Sequence, residues 1–271
     1  MPHENGHHLP DDGKAPVYAA ERQQAMVRLI RTERRVSVAR LSEDFDVTTE
    51  TVRRDLSALE RRGLVRRVHG GAVPAEVLAP SEPGLGERDL RNPEAKEQIA
   101  CAAVALLPST GSTILLDAGS TTARLVAALP HDLQLTVITH SVPLAARLAG
   151  HPNVELVLLP GRVRPATQAA VGPDTVAALG QLRVDVAFIG ANGVSPAFGL
   201  STPDRDEAAT KRALIKAARQ TIALVDSSKL GVESTHRFAS LSDVDVLVTD
   251  RGGDADNRTQ LELHGLEVVV A

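Results

Sequence analysis

The chain has 271 residues, 43% apolar but only 2% aromatic and without Trp. That length suits one small plus one medium domain, with a core of Ala, Val, Leu and Ile, and the composition argues against stacking of exposed nucleobases on aromatic platforms. The net charge of −4 hides an asymmetry, because residues 21–73 hold 12 Arg against 8 acidic residues (+4) whereas residues 74–271 hold 17 basic and 23 acidic (−6), a basic head on an acidic body that suggests a polyanion partner for the head alone.

Residues 1–20 read as a disordered tail. It carries His3, His7 and His8 but no apolar stretch of the signal-peptide kind. No run of 18 apolar residues occurs anywhere, so no membrane span is expected, and the cytoplasm is the expected location. Residues 21–33 predict a helix with Met26, Leu29 and Ile30 at helical spacing. Ser37 then has the place of an N-cap for a short helix that turns Val38, Leu41 and Phe45 inward. Asp46-Val47-Thr48 is a tight connection, and Thr48 can cap a third helix over about 49–62 with an apolar stripe of Val52, Leu56 and Leu59. Gly63 is its expected stop. Leu64–Val68 is a β-like run ending at Gly70-Gly71. Three helices and a β-ribbon over residues 21–73 predict a winged helix-turn-helix, whose partner is double-stranded DNA.

With the stripe facing the core, Glu50, Arg54 and Arg61 lie on the opposite side of the third helix, flanked by Thr51 and Arg53. An arginine there can reach guanine O6 and N7 with both of its forks. Arg66, Arg67 and His69 on the wing are placed to grip phosphates. The hydroxyls of Ser37, Thr48 and Thr49 at the helix starts complete the candidate DNA contacts.

Residues 74–92, with Pro74, Pro80, Pro83, Gly84 and Gly86, read as a linker. Asn92-Pro93 then supplies an N-cap with Pro at the first helical position, opening a helix to about Leu107. The single cysteine, Cys101, excludes internal disulfides and reads as a buried, inert thiol in the apolar run 99–107. From there strand-like runs (113–116, 135–138, 154–158, 184–189, 221–225, 244–248 and 266–270) alternate with helical stretches near 121–129, 141–149, 174–181, 207–219 and 255–264. Near-continuous apolar strands with helices between them predict a mostly parallel sheet covered on both faces.

Three loops stand where such sheets place ligands, at the C-terminal ends of strands. Asp117-Ala118-Gly119-Ser120-Thr121-Thr122 opens a helix, with small residues and hydroxyls suited to an anion or simply to a turn. It lacks the Gly-Lys-Ser/Thr of a Walker loop. Gly190-Ala191-Asn192-Gly193 permits either a tight turn or a close ligand. Asp226-Ser227-Ser228-Lys229 ends in a lysine that can hold a phosphate or carboxylate, or merely lie on the surface. Glu207 and Lys211 sit four apart on a helix, a spacing usual for surface ion pairs; Lys211 is also a candidate effector contact. No nucleophile elbow and no zinc-like Cys/His spacing occurs. No catalytic residue, metal ligand or cofactor is therefore expected.

Residues Glu21–Ala72 resemble the DNA-binding domain of the DeoR family of bacterial regulators. The resemblance is carried by the run 47–56, Val-Thr-Thr-Glu-Thr-Val-Arg-Arg-Asp-Leu, and by Val68-His69-Gly70-Gly71-Ala72. The remainder is similar to the family's effector domain through 114–122, 137–141, Leu159-Pro160-Gly161, 188–193 and 226–229. The resemblance implies an α/β effector domain built like ribose-5-phosphate isomerase, over residues 93–271. It further implies a sugar phosphate held at Gly119, Ser120, Thr121 and Thr122, with Asp117, Gly190, Asn192, Gly193 and Lys229 around the sugar. The isomerases carry Gly-Ala-Asp-Glu where this chain has Gly190-Ala191-Asn192-Gly193. Proton shuttling between carbons needs a positioned base, which an amide cannot supply. The reading is a repressor of a carbohydrate-metabolism operon, relieved by a phosphorylated sugar and working as a homo-oligomer. The alternatives are an isomerase with an accessory DNA-binding head, or a constitutive DNA-binding protein whose second domain only oligomerises.

Overall fold

A computed structural model describes residues 19–33, 36–61, 64–68, 70–74, 83–253 and 255–271. The chain divides after Leu78 into two compact units. In the first, α1 (Ala19–Glu33), α2 (Val38–Asp44) and α3 (Thr49–Arg61) accompany β1 (Val36–Ser37), β2 (Val65–Val68) and β3 (Gly71–Pro74). The strands form an antiparallel sheet in the order β1-β3-β2. Met26, Ile30, Leu41, Val52, Leu56, Leu59 and Val65 make its core, so the helical stripes read from the sequence are the buried ones. Local chemistry fixes the ends. The Ser37 hydroxyl accepts the N–H of Arg40 at 3.1 Å, and Thr48 Oγ1 accepts that of Thr51 at 3.2 Å, each satisfying an orphan donor of a helix start. Asp46 takes a left-handed φ of 51° between α2 and α3, tolerable for a short polar side chain. Gly71 lies so close to β1 that a Cβ would stand 2.2 Å from the Val36 carbonyl oxygen. Gly63 and His69 lie outside the described residues.

The second unit is built on β4 (Ser112–Leu116), β5 (Leu135–Thr139), β6 (Val154–Leu158), β9 (Val184–Ile189), β12 (Ala218–Leu224), β14 (Val246–Thr249) and β15 (Glu267–Val270). They pair in the order β15-β14-β12-β9-β4-β5-β6, every pairing parallel. Two apolar clusters cover its faces. Ile114, Leu116, Phe188 and Ile222 pack with Ile99, Leu125 and Leu144 of α5 (Pro93–Val104), α6 (Ser120–Ala127) and α7 (Val142–Leu148). Leu115, Ala187 and Leu247 pack with Leu179, Leu214 and Leu261 of α8 (Pro173–Leu179), α9 (Arg205–Ala217) and α10 (Ala255–Leu263). Successive residues of β4 serve opposite clusters, as the two-residue period of a strand requires.

Four expectations are corrected. Residues 74–92 are not all linker, because Leu85–Leu90 form a helix, α4. The N–H of Leu85 donates to the Ala166 carbonyl at 3.0 Å, and Asp89 pairs with Arg124 at 3.1 Å. Asn92 does not cap α5 with its side chain. It has a left-handed φ of 48°, and its amide donates to Asp226 Oδ1 at 3.0 Å. Cys101 is exposed rather than buried, because α5 turns Lys96, Ile99, Ala100 and Ala103 inward, a stripe that bypasses position 101. Finally, the body carries short antiparallel arms that the sequence reading lacks. These are β7 (Arg162–Arg164) with β8 (Ala169–Val171), and β10 (Gly193–Ser195) and β11 (Gly199–Thr202) with β13 (His236–Ala239).

Candidate functional sites

In the head, burial of Val52, Leu56 and Leu59 along α3 leaves Thr49, Glu50, Arg53 and Arg54 exposed. Thr51 is half-buried, its hydroxyl 3.0 Å from that of Thr48. Arg66 is half-buried on β2 and Arg67 exposed. The Arg67 backbone N–H donates to Glu60 Oε1 at 2.8 Å, and its guanidinium to Ser57 Oγ at 3.0 Å, tying the wing to α3. The sequence reading passed over Asp55. It is buried and accepts from Arg22 Nε at 2.7 Å and Gln23 Nε2 at 2.8 Å, so it locks α1 to α3. An acid amid arginines on the inward side of a helix was its signal.

In the body, the ends of β4, β5 and β9 converge on Asp117. One carboxylate oxygen lies 3.0 Å from His140 Nε2. The other accepts the Gly190 N–H at 2.8 Å and a bond from Lys211 Nζ. Burial pushes this acid up, but the Lys211 charge and the His140 bond together hold it well below the usual carboxylate range. Lys211 also donates to the Gly190 carbonyl at 2.9 Å and lies 5.4 Å over the Phe238 ring. The expected surface pair of Glu207 and Lys211 does not exist, as both are buried. Glu207 instead meets Arg164 at 3.2 Å and Thr202 Oγ1 at 3.0 Å. The four-residue rule supposes an exposed helix; here α9 turns that face onto the sheet. His140, absent from the sequence reading, donates from Nδ1 to the Ala170 carbonyl at 2.8 Å. Its place one residue beyond a buried strand was the available signal.

Gly119 precedes α6 without any side-chain cap, and Ser120, Thr121 and Thr122 of its first turn are buried. Thr122 Oγ1 donates to the Gly119 carbonyl at 2.9 Å, while the opening N–H groups of a helix have no partner within it. The Asn192 side-chain oxygen takes the Thr202 hydroxyl at 3.2 Å. Gly193 passes so near Val232 that a Cβ would stand 2.3 Å from its carbonyl oxygen, a packing reason for that glycine.

Ser227–Lys229 form a single helical turn capped by Asp226. Burial lowers the Lys229 ammonium pKa, Asp226 opposes the shift, and Arg88 and Arg91 reinforce it. Lys96, also passed over, donates to the carbonyls of Arg88 and Arg91 at the end of α4. Burial lowers its pKa to about 8, opposed by Asp226 and reinforced by Lys229 and Arg124. A lysine at a core-facing stripe position beside Ile99, Ala100 and Ala103 was the sequence signal for it. Where α5, α6 and the Asp226 turn meet, Lys96, Lys229 and Arg124 are interleaved with acids: Asp226 acts on both lysines, and Arg124 pairs with Asp89 at 3.1 Å and Glu97 at 3.6 Å. Among the described residues, no helix is long and apolar enough to cross a membrane.

Two family models match the chain: a DeoR-like helix-turn-helix domain over residues 22–76 and a DeoR C-terminal sensor domain over residues 91–251. The chain is 37% identical over 250 residues to the HTH-type transcriptional regulator GlpR of Haloferax volcanii, spanning 92% of this chain and 97% of that one. It is 31% identical over 254 residues to the transcriptional repressor GlcR of Bacillus subtilis, spanning 94% and 97%. It is 31% identical over 232 residues to the glycerol-3-phosphate regulon repressor of Escherichia coli, spanning 85% and 90%. Among solved structures, ribose 5-phosphate isomerase A of Methanocaldococcus jannaschii is 23% identical, with a TM-score of 0.38 over 51% of this chain and 54% of its own. With a DNA-binding model on its head and a sensor model on its body, the chain belongs to the DeoR family of helix-turn-helix transcription regulators.

Proposed function

We propose that the body binds a small phosphorylated sugar at the C-terminal edge of its parallel sheet, and that binding loosens the head's hold on an operator. The observation that carries this reading is the uncapped start of α6, Gly119 to Thr122. The opening N–H groups of a helix suit a phosphate better than a neutral sugar. Asp117 and Asn192 stand for the hydroxyls. Lys211 acts beneath them as the counter-ion that holds β4 and β9 together, and Gly190 and Gly193 allow close backbone approach.

In the head, Arg53 and Arg54 face the bases of the major groove. Ser37, Thr48, Thr49, Thr51, Arg66, Arg67 and, outside the described residues, His69 position it on phosphates. The protein represses a carbohydrate-metabolism operon, as the name of its glycerol-3-phosphate relative suggests. It acts in the cytoplasm, as a homo-oligomer that reads two half-sites. The domains run 21–73 for the head and from the α4 segment onward for the body.

Titration calorimetry with triose, pentose and hexose phosphates beside their unphosphorylated sugars tests the ligand, and gel shifts with the same panel test the switch. A phosphate ester is expected to bind, to weaken DNA binding by about 1–3 kcal/mol of coupling, and to lose its grip in the double variant Ser120→Ala, Lys229→Ala. Binding by no ester, or full binding by that variant, sinks the site. Binding without change in DNA affinity sinks only the switch.

A further inference from the structure

We propose that Glu50 is a specificity-determining residue, which accepts a hydrogen bond from the exocyclic amine of a cytosine in the major groove. The inference rests on α3 being the helix that enters the groove. Three acids of the head have a strong local partner. Asp55 is buried against Arg22 and Gln23. Asp44 takes Arg40 Nε at 2.8 Å. Glu60 takes the Arg67 N–H at 2.8 Å. Glu50 differs. It stands in the first turn of α3 with its side chain 72% exposed, and Arg53, its ion-pair partner, is 3.7 Å away, beyond hydrogen-bond range.

Recognition helices present their N-terminal residues to base edges. A carboxylate carried there is repelled by the phosphates on either side, so it weakens binding unless it gains a contact of its own. It can only accept hydrogen bonds. Cytosine N4 offers a donor alone, whereas adenine sets its N6 donor beside an N7 acceptor that repels a carboxylate. The geometry therefore points to cytosine. The Thr48 cap on the Thr51 N–H fixes the turn that carries Glu50, and the Arg53 guanidinium beside it offsets its charge. Arg54 lies one helical turn further along, about 6 Å from Glu50 on the same face, a reach of one to two base steps. The half-site is thus expected to hold a C·G pair one or two steps from the guanine that Arg54 reads.

The test is selection of full-length protein on a randomised double-stranded DNA library, with the bound fraction sequenced. Wild type is expected to enrich a half-site with a fixed C·G pair. Glu50→Ala should relax that position roughly tenfold, keep the rest of the motif, and bind random DNA at least as well. Glu50→Gln should move the same position toward adenine, whose N6 and N7 an amide matches. If Glu50→Ala keeps the wild-type motif while Arg54→Ala alters it, Glu50 reads nothing and the proposal is overturned. Should neither variant alter the motif, α3 is not the reading helix, and the proposal falls with its premise. Melting followed by circular dichroism separates a helix role. A lowered Tm with an unchanged motif assigns Glu50 to the helix start and overturns the base contact.

Discussion

The head and the body handle charge in opposite ways. On α3 the polar residues Thr49, Glu50, Arg53 and Arg54 face outward, and on the buried side Asp55, held by Arg22 and Gln23, is the one charge beside Val52, Leu56 and Leu59. In the body the distinctive charges, Asp117, Lys211, Glu207 and Lys96, are buried and bonded to one another, to other side chains or to backbone. A surface that must meet a long polyanion keeps its charges solvated until the partner arrives. The site proposed for one small ligand keeps them dry and oriented beforehand. In the head, then, function and folding can be separated by substitution; at the Asp117 centre they cannot.

The largest effect expected from this contrast is at Lys211. Lys211→Met leaves the Asp117 carboxylate buried without its counter-ion, which should cost about 3–5 kcal/mol in urea unfolding. The double variant Asp117→Asn, Lys211→Met should be less destabilised than the sum of the two single changes. Additive losses would mean that the two groups are not coupled. Next comes Arg54→Ala, expected to weaken operator binding by about 1–3 kcal/mol at matched salt while leaving the unfolding curve in place. A variant that binds as wild type removes Arg54 from the interface. A variant that unfolds early breaks the separation of function from folding.

The smallest effect concerns pH. Lys96 is lowered to about 8 from an ordinary 10.5, so the unfolded chain holds its proton more tightly than the folded one. Between those values the unfolded state binds more protons, and stability gains from this lysine as pH rises. Below pH 8 both states are protonated and its burial penalty is constant. Lys96→Met should therefore show a shallower rise in stability from pH 8 to 10 than wild type. Identical slopes would show that the site does not disfavour the ammonium.

The contrast also explains what could be read in advance. The central strands are buried on both faces, so each leaves an apolar run such as Val184–Ile189 that is legible by itself. The head's helices carry an apolar stripe each, and α2 and α3 add a capping hydroxyl, Ser37 and Thr48, two local signals that agree. The arms β7, β8, β10, β11 and β13 have only three or four residues each, too few to display a period. The α4 segment hides among prolines and glycines because what holds it, Lys96, Arg124 and the Ala166 carbonyl, comes from elsewhere in the chain. The Asp117 centre was half legible. The loop positions followed from strand ends, but the pairing of Asp117 with Lys211 spans 94 residues, and no spacing rule reaches that far. Local chemistry announces itself in a sequence, whereas a bond between a strand end and a distant helix does not.

The exposure of Cys101 gives the molecule a chemical address. It is the only cysteine in the chain, and it sits on the outward side of the same helix that buries Lys96. A single maleimide dye would therefore attach at one known place without a background of other thiols. Fluorescence anisotropy or quenching from that position would follow events around α5 in real time, in a protein whose lack of tryptophan leaves it no intrinsic indole emission.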